Sequence, residues 1–290
     1  MIRYNISPLH QMEPDIRLAD AMLFAALKSA LGDKIEAHSS IHEYRDEAPL
    51  WGLDHYGDPA ILRRRAAAYM EPAVLAAIEG IILPARDAGR AMDALAADGI
   101  RPAMRSMADP IERKFFPGLK GPFAGPDGVF ERHKDRLRIK SPDEEVCIHP
   151  HYDTIAGRRF LIVTGEIAAA SPDSYCSEDP AQLLDPKNRK REPAGDFMSE
   201  LVAADPRHLE LQRAAVETLL QRYPMVSGAI DVGIVLAENG SKRAQIDQVW
   251  AAPPGGAYTL FADPIAYAGK VAEHLNALEP GLFDEEAPAP

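Results

Sequence analysis

Residues 229–250 read AIDVGIVLAENGSKRAQIDQVW. Two runs rich in β-branched residues, AIDVGIVLA and AQIDQVW, flank Glu238-Asn239-Gly240. Asn-Gly is a strong signal for a tight turn between antiparallel strands, because both residues tolerate positive φ. The spacing therefore predicts a β-hairpin late in the chain. Each arm carries an aspartate near its middle, Asp231 and Asp247, flanked by residues that should face a core. Aspartate is depleted in strands. Two such carboxylates on adjacent strands could share a divalent cation, and oxygen ligands suit Mg2+. The plainer reading is that one or both face solvent, as every second strand residue can. The glycine-rich PPGGAY just after lets backbone approach a ligand closely.

Working outward, a helix is expected from Pro206 through LELQRAAVETLLQRY to Pro224, and another from Pro264 to about Leu278. Upstream, VFERHKDRLRIK, VCIH, RRFLIVTG and EIAAAS have strand composition with short turns. Tyr175 to Glu200 is polar, carries the basic run KNRKR, and reads as a surface loop. KFFPGLKGPFAGPDG places Gly and Pro between aromatic residues and reads as an ordered loop. In the first hundred residues Ile2 to Ile6 is expected as a strand. DIRLADAMLFAALKSAL puts Ile16, Ala19, Met22, Leu23, Ala26, Leu27 and Ala30 on one helical face and stops at Gly32. A second helix is expected over roughly Pro59 to Met70. GIILPA, GRAMDALAADG and IRPAMRSM then read as strand, helix and strand. That rhythm favours α/β layers.

The 290 residues carry 46% hydrophobic and 26% charged side chains, ordinary globular values that exclude wholesale disorder. The net charge is −12, four units of it in Glu279, Asp284, Glu285 and Glu286 of an acidic tail. So acidic a body is a poor general binder of nucleic acid. Cys147 and Cys176 make neither a disulfide framework nor a zinc-ligand spacing. The opening MIRYNISPLHQMEPD lacks the basic end and apolar run of a signal peptide. LADAMLFAALKSAL is interrupted by Asp20 and Lys28 and does not span a bilayer. A soluble, cytoplasmic protein is expected.

Against this acidic background, residues 101–140 contain ten Lys/Arg and five Asp/Glu. A local cationic concentration in an acidic chain suits a pocket for a compact polyanion. Arg132 to Lys140 alternate in charge and read as a solvated strand face. Arg105, Lys114 and Arg159 lie beside apolar or aromatic residues, where a charge needs a partner or an exposed head. A third feature is HPHYD, with His149, His151 and Asp153 at alternate positions that one strand would point the same way. Metal-dependent hydrolases carry a similar His-x-His-x-Asp followed by another His; here Thr154 follows and Pro150 interrupts. A turn with partly exposed imidazoles is the alternative. GxxxxGK[ST], GxSxG and HExxH are all absent.

Taken in order from about Ile100 to Leu278, these pieces resemble the ATP-grasp superfamily, and within it a divergent clade with arginines in place of some nucleotide-binding lysines. RPAMRSMADPIERKFFPG resembles that clade's strand-borne Arg and Lys-Phe-x-Gly loop, matching Arg105, Lys114, Phe115 or Phe116, and Gly118. GRRFLIVTGEIAAASPDSY is similar to its Glu-aromatic-Arg strand and return strand, matching Arg159, Gly165, Ser171 and Tyr175, with Gly157 where the Glu would be. IDVGIVLAENG resembles the Asp-Val-Gly strand, matching Asp231. AQIDQVWAAPPGGAY stands where the family has Glu-x-Asn and Gly-x-Tyr, matching Gly256 and Tyr258, with Gln248 and Trp250 in the Glu and Asn places.

The resemblance implies an α+β fold, two α+β lobes around a nucleotide cleft over residues 100–278. A small α/β lobe (1–99) for the acceptor would precede them and a disordered tail (279–290) would follow. It implies an ATP- and Mg2+-dependent carboxylate–amine (or thiol) ligase working through an acyl phosphate. Arg105, Lys114 and Arg159 would meet the phosphates, with Lys114 and Arg159 catalytic. Asp231, with Asp247 or Gln248, would hold the metal. Glu145 to His149 would be the hinge that reads adenine. The competing readings are a degenerate member that binds nucleotide or a protein partner without catalysis, and a metal-dependent hydrolase built on HPHYD.

Overall fold

The computed structural model describes residues 2–5, 14–38, 50–52, 66–107, 109–115, 121–125, 139–152, 154–170, 205–225, 227–237, 240–251 and 264–277. Phe116, Gly118, most of VFERHKDRLRIK, Asp153, Ser171, Tyr175, the 176–200 segment, Gly256, Tyr258 and the tail lie outside the described residues.

The expected hairpin forms. Strands β10 (Ser227–Leu236) and β11 (Lys242–Trp250) pair antiparallel. β10 also pairs antiparallel with β8 (Thr154–Val163), and β8 with β9 (Glu166–Ala170), giving the order β11-β10-β8-β9. Gly233 is needed here: a Cβ would stand 2.2 Å from Thr154 Cγ2 on the neighbouring strand. A second antiparallel sheet has the order β4-β7-β5-β6, from β4 (Ile81–Pro84), β5 (Arg101–Ser106), β6 (Asp109–Phe115) and β7 (Glu145–His151). Because β4 pairs with β7, the boundary placed at residue 99 falls inside this layer. β6 occupies the start of a stretch expected as loop.

A third, parallel sheet joins β1 (Ile2–Asn5), β2 (Ile35–His38) and β3 (Leu50–Gly52) in the order β2-β1-β3. Helix α1 (Pro14–Leu31) connects β1 to β2. Its buried stripe is Leu23, Leu27 and Leu31, four residues apart, so Met22 on the expected face is instead 52% exposed. Residues 66–70, within the expected Pro59–Met70 helix, are helical. Further helices among the described residues are α2 (Pro72–Ala77), α3 (Ala85–Ala97), α4 (Pro206–Arg222) and α5 (Pro264–Ala277). Among the described residues no helix is long and apolar enough to cross a membrane.

Three cores fix the layers. One joins α1 and α5 through Leu27, Tyr267 and Val271 to Leu161, Val163 and Ala229 of the hairpin sheet. The opposite face of that sheet, through Phe160, Ile230, Val232 and Val249, packs on α2 and α4 and on Tyr69 and Cys147. The third core sets α3 against Met104, Val146 and Ile148 of the second sheet. The side of β7 facing away from α3 carries Cys147 into the core of the hairpin sheet, so the two antiparallel sheets meet there.

Candidate active site

Register builds the site. Asp231 stands opposite Arg159 on β8 and opposite Gln248 on β11. Directly opposed residues share a sheet face, so Arg159, Asp231 and Gln248 form one row across three strands. Arg159 Nε and Nη2 donate to the two Asp231 oxygens at 2.6 and 2.7 Å. Trp250 Nε1 donates to Asp231 Oδ2 at 2.9 Å, and the Arg159 guanidinium lies 5.0 Å over the Trp250 ring. The ion pair is half-buried, with side-chain exposures of 23% and 20%. Gln248 is 4% exposed, and its Nε2 has no acceptor among the described residues.

Asp247 is not Asp231's partner. Asp231 pairs with Gln248 and the next residue, Val232, pairs with Ile246, which leaves Asp247 extra in a β-bulge. A bulge kinks its strand and re-aims what it carries. The Asp247 carbonyl accepts from Arg105 Nη2 at 2.6 Å. Of the two strand partners left open for Asp231, Asp247 or Gln248, the register gives Gln248. The shift comes from one extra residue inside the strand.

Arg105 lies on β5, fully buried. Besides the Asp247 carbonyl, its Nε donates to His149 Nε2 at 3.1 Å and its guanidinium sits 5.1 Å over the Tyr69 ring. Arg105 therefore bridges the two sheets at the bulge. Tyr69 Oη in turn accepts from Val249 N at 3.1 Å. Burial pushes the Tyr69 hydroxyl pKa up, and the Arg105 charge pulls it part of the way back.

His149 is committed on both ring nitrogens. Arginine only donates, so Nε2 must offer its lone pair; the proton then sits on Nδ1, 2.8 Å from the Pro150 carbonyl. An imidazole so held has no lone pair left for a metal. Among the described residues no group of three or more His, Cys, Asp or Glu could hold a metal ion. His149 and His151 lie in β7, not in the turn that was the alternative reading.

Lys114 lies on β6 in register with Met104, one pair from Arg105; its side chain is outside the described residues. Glu145 opens β7 opposite Pro84 and is exposed. The chain passes from the second sheet to the hairpin sheet after His151, so Glu145 sits at the far end of β7 from the crossing, roughly 20 Å away at strand rise. Glu145 to His149, expected as a hinge, lie inside one continuous strand, because EVCIHPH runs through Pro150 without a break. At the crossing Tyr152 Oη donates to Glu79 Oε2 at 2.6 Å and Arg243 Nη1 donates to Glu79 Oε1 at 2.8 Å. The Arg243 guanidinium lies 4.6 Å over the Tyr152 ring. Glu79 has φ +54°, a backbone state rare for a side chain of its length.

Mg2+ commonly takes one or two carboxylates and completes its shell with phosphate oxygens and water. Asp231 and the amide oxygen of Gln248, as strand partners, provide that kind of donor set. The buried, unmatched Nε2 of Gln248 beside them marks a polar contact the folded chain leaves open. The residues present fit a metal–phosphate ligand, provided Asp231 releases Arg159. Tyr69 was not singled out from the sequence, and Trp250 only as standing in the family's Asn place; its two-residue spacing from Gln248 puts both on one face.

No family model matches the sequence, and no curated protein matches it. Solved structures do match. The macrocyclase MdnC from Microcystis aeruginosa MRC, bound with precursor peptide MdnA, has a TM-score of 0.50 at 11% identity, covering 96% of this chain and 100% of that one. The ATP complex of D-alanine–D-alanine ligase from Bacillus anthracis has a TM-score of 0.49 at 13% identity, covering 95% and 96%. A RimK domain ATP-grasp protein from Sphaerobacter thermophilus DSM 20745 has a TM-score of 0.45 at 13% identity, covering 95% and 100%. The chain has the ATP-grasp fold, a mixed α+β arrangement with antiparallel sheets.

Proposed function

We propose that this chain is an ATP-dependent ligase that activates a carboxylate as an acyl phosphate for attack by an amine or thiol. The observation that carries the reading is the row of Arg159, Asp231 and Gln248, with Arg105 anchored at the adjoining bulge. It sets a cation and a carboxylate beside an open polar group on one sheet face. Arg159 and Lys114 would neutralise charge developing on the transferred phosphoryl group. Asp231 and Gln248 would hold Mg2+, which when bound screens the phosphate oxygens from one another. A carboxylate oxygen of the acceptor attacks the terminal phosphorus and ADP leaves. The incoming amine or thiol then attacks the acyl carbon and phosphate leaves. Arg105, being fully buried, serves this site by holding the bulge rather than by touching the nucleotide. The parallel lobe β2-β1-β3 would receive the acceptor. Because the macrocyclase MdnC is bound with a precursor peptide, peptides carrying carboxylates join amino acids and small carboxylates as acceptor candidates.

The non-catalytic reading has its own support, since both Asp231 oxygens already have partners. The test is ADP release with Mg2+ across the acceptor panel. Slow, acceptor-dependent release is expected. ATP binding with no turnover on any acceptor would favour the nucleotide-binding, non-catalytic protein.

A further inference from the structure

We infer that Gln248 is a phosphate-recognition residue: its buried side-chain N–H donates to an oxygen of the bound nucleotide's phosphate chain. This rests on the nucleotide-binding reading above and deepens it, because it gives position 248 a role that a carboxylate there could not perform.

Three observations support the assignment. Gln248 is 4% exposed, and its Nε2 has no acceptor among the described residues. Folded chains match nearly all buried donors, and an unmatched one is costly to bury. Second, the acceptor that register sets directly opposite Gln248 is Asp231, and its two oxygens already take three donors. These are Nε and Nη2 of Arg159 and Nε1 of Trp250. Third, the pairing skips Asp247, so it is Gln248 that the bulge sets on the face of Asp231. An amide, and not the neighbouring carboxylate, is what the strand presents there.

The chemistry of the side chain then decides what it can recognise. An ionised carboxylate only accepts hydrogen bonds, whereas an amide both donates and accepts. Glutamate at 248 could ligate a cation, but it would stand as a like charge directly opposite Asp231 and would repel phosphate oxygens. Glutamine avoids both penalties. Its N–H groups suit an anionic oxygen, and its own oxygen remains for the cation.

The experiment uses the full chain. Urea denaturation without ligand and calorimetry of Mg–ATP binding compare wild type with Gln248→Met and Gln248→Glu. Methionine fills a similar volume with no donor. Gln248→Met should therefore unfold at a higher urea concentration than wild type, yet bind Mg–ATP roughly ten- to a hundredfold more weakly. Gln248→Glu keeps an oxygen for the cation and should still bind Mg–ATP roughly tenfold or more weakly. By NMR, the Gln248 side-chain amide, assigned by its loss in Gln248→Met, should shift with Mg–ATP and stay in place with adenosine. Should Gln248→Glu fail to fold, Gln248→Met and the amide signal decide. Gln248→Glu binding Mg–ATP as tightly as wild type would overturn the donor role and leave only a cation ligand. A lower urea midpoint for Gln248→Met would overturn it too, because the N–H would then be satisfied within the chain. If wild type binds Mg–ATP and both variants match it, this inference alone fails. If wild type binds no Mg–ATP at all, the nucleotide-binding reading fails and the inference with it.

Discussion

Arg105 carries its charge to a position with no exposure, which folding tolerates only if every side of the guanidinium is met. An imidazole lone pair, a main-chain carbonyl and an aromatic face meet it. Cys147, its strand partner on β7, feels the same charge. Burial pushes the Cys147 thiol up from an ordinary value of 9.0 to about 11, with Arg105 pulling the other way. The folded state thus holds this proton more tightly than the unfolded chain. Its contribution to stability is complete below pH 9 and is lost as pH rises to 11. Urea denaturation at pH 8, 9.5 and 11 should show roughly 2–3 kcal/mol of alkaline loss from this thiol. Cys147→Ala should flatten that part of the profile, and an unchanged profile would contradict the assignment. At this scale the sequence was only partly legible. Asp231 and Arg159 could each be singled out as charges in strands, but their pairing depends on the β8–β10 register, which no local pattern contains.

Helix α3 illustrates the scale of elements. A helix was expected over GRAMDALAADG, and it forms over Ala85–Ala97, starting one turn earlier. What it holds was not. Asp93 accepts from the Phe123 and Ala124 N–H groups at 2.7 and 3.1 Å, docking residues 121–125 on the helix. Gly89 lets that segment approach: a Cβ there would stand 2.7 Å from Ala124 Cα. Asp93→Ala strands two backbone donors and should cost about 1–3 kcal/mol in urea denaturation, with Asp93→Asn costing less. Elements escaped the sequence reading for physical reasons. β2 and β3 are four and three residues long, too short for alternation to register. β6 hides behind Pro110 and its alternating charges, and α2 is a six-residue helix beyond the end of the expected Pro59–Met70 helix.

Across the whole molecule, β11 is the seam. Arg105 of the second sheet, Tyr69 and the Glu79–Arg243–Tyr152 group all fasten onto it. The last group also grips the only described crossing between the antiparallel sheets. Arg243 and Glu79 are 40% and 38% exposed, so the pair is worth little in global stability. Its effect should be local: Arg243→Met should speed amide exchange at 152–157 roughly two- to fivefold by mass spectrometry, with the cores unchanged. Uniform acceleration through α4 and α5 would argue against a local clamp.

The bulge in β11 has a further consequence, best put as parity. Before Asp247, even-numbered residues (Ala244, Ile246) face the core under α4. After it the odd-numbered Val249 does, while the even-numbered Trp250 turns to the core under α1 and α5. Asp247 is thus a single insertion in a strand of period two. Removing it would leave every apolar side chain of β11 on its present face, whereas a second insertion beside it would turn one end of the strand inside out. Any residue-by-residue comparison of this strand with an unbulged relative must open a gap of one at Asp247.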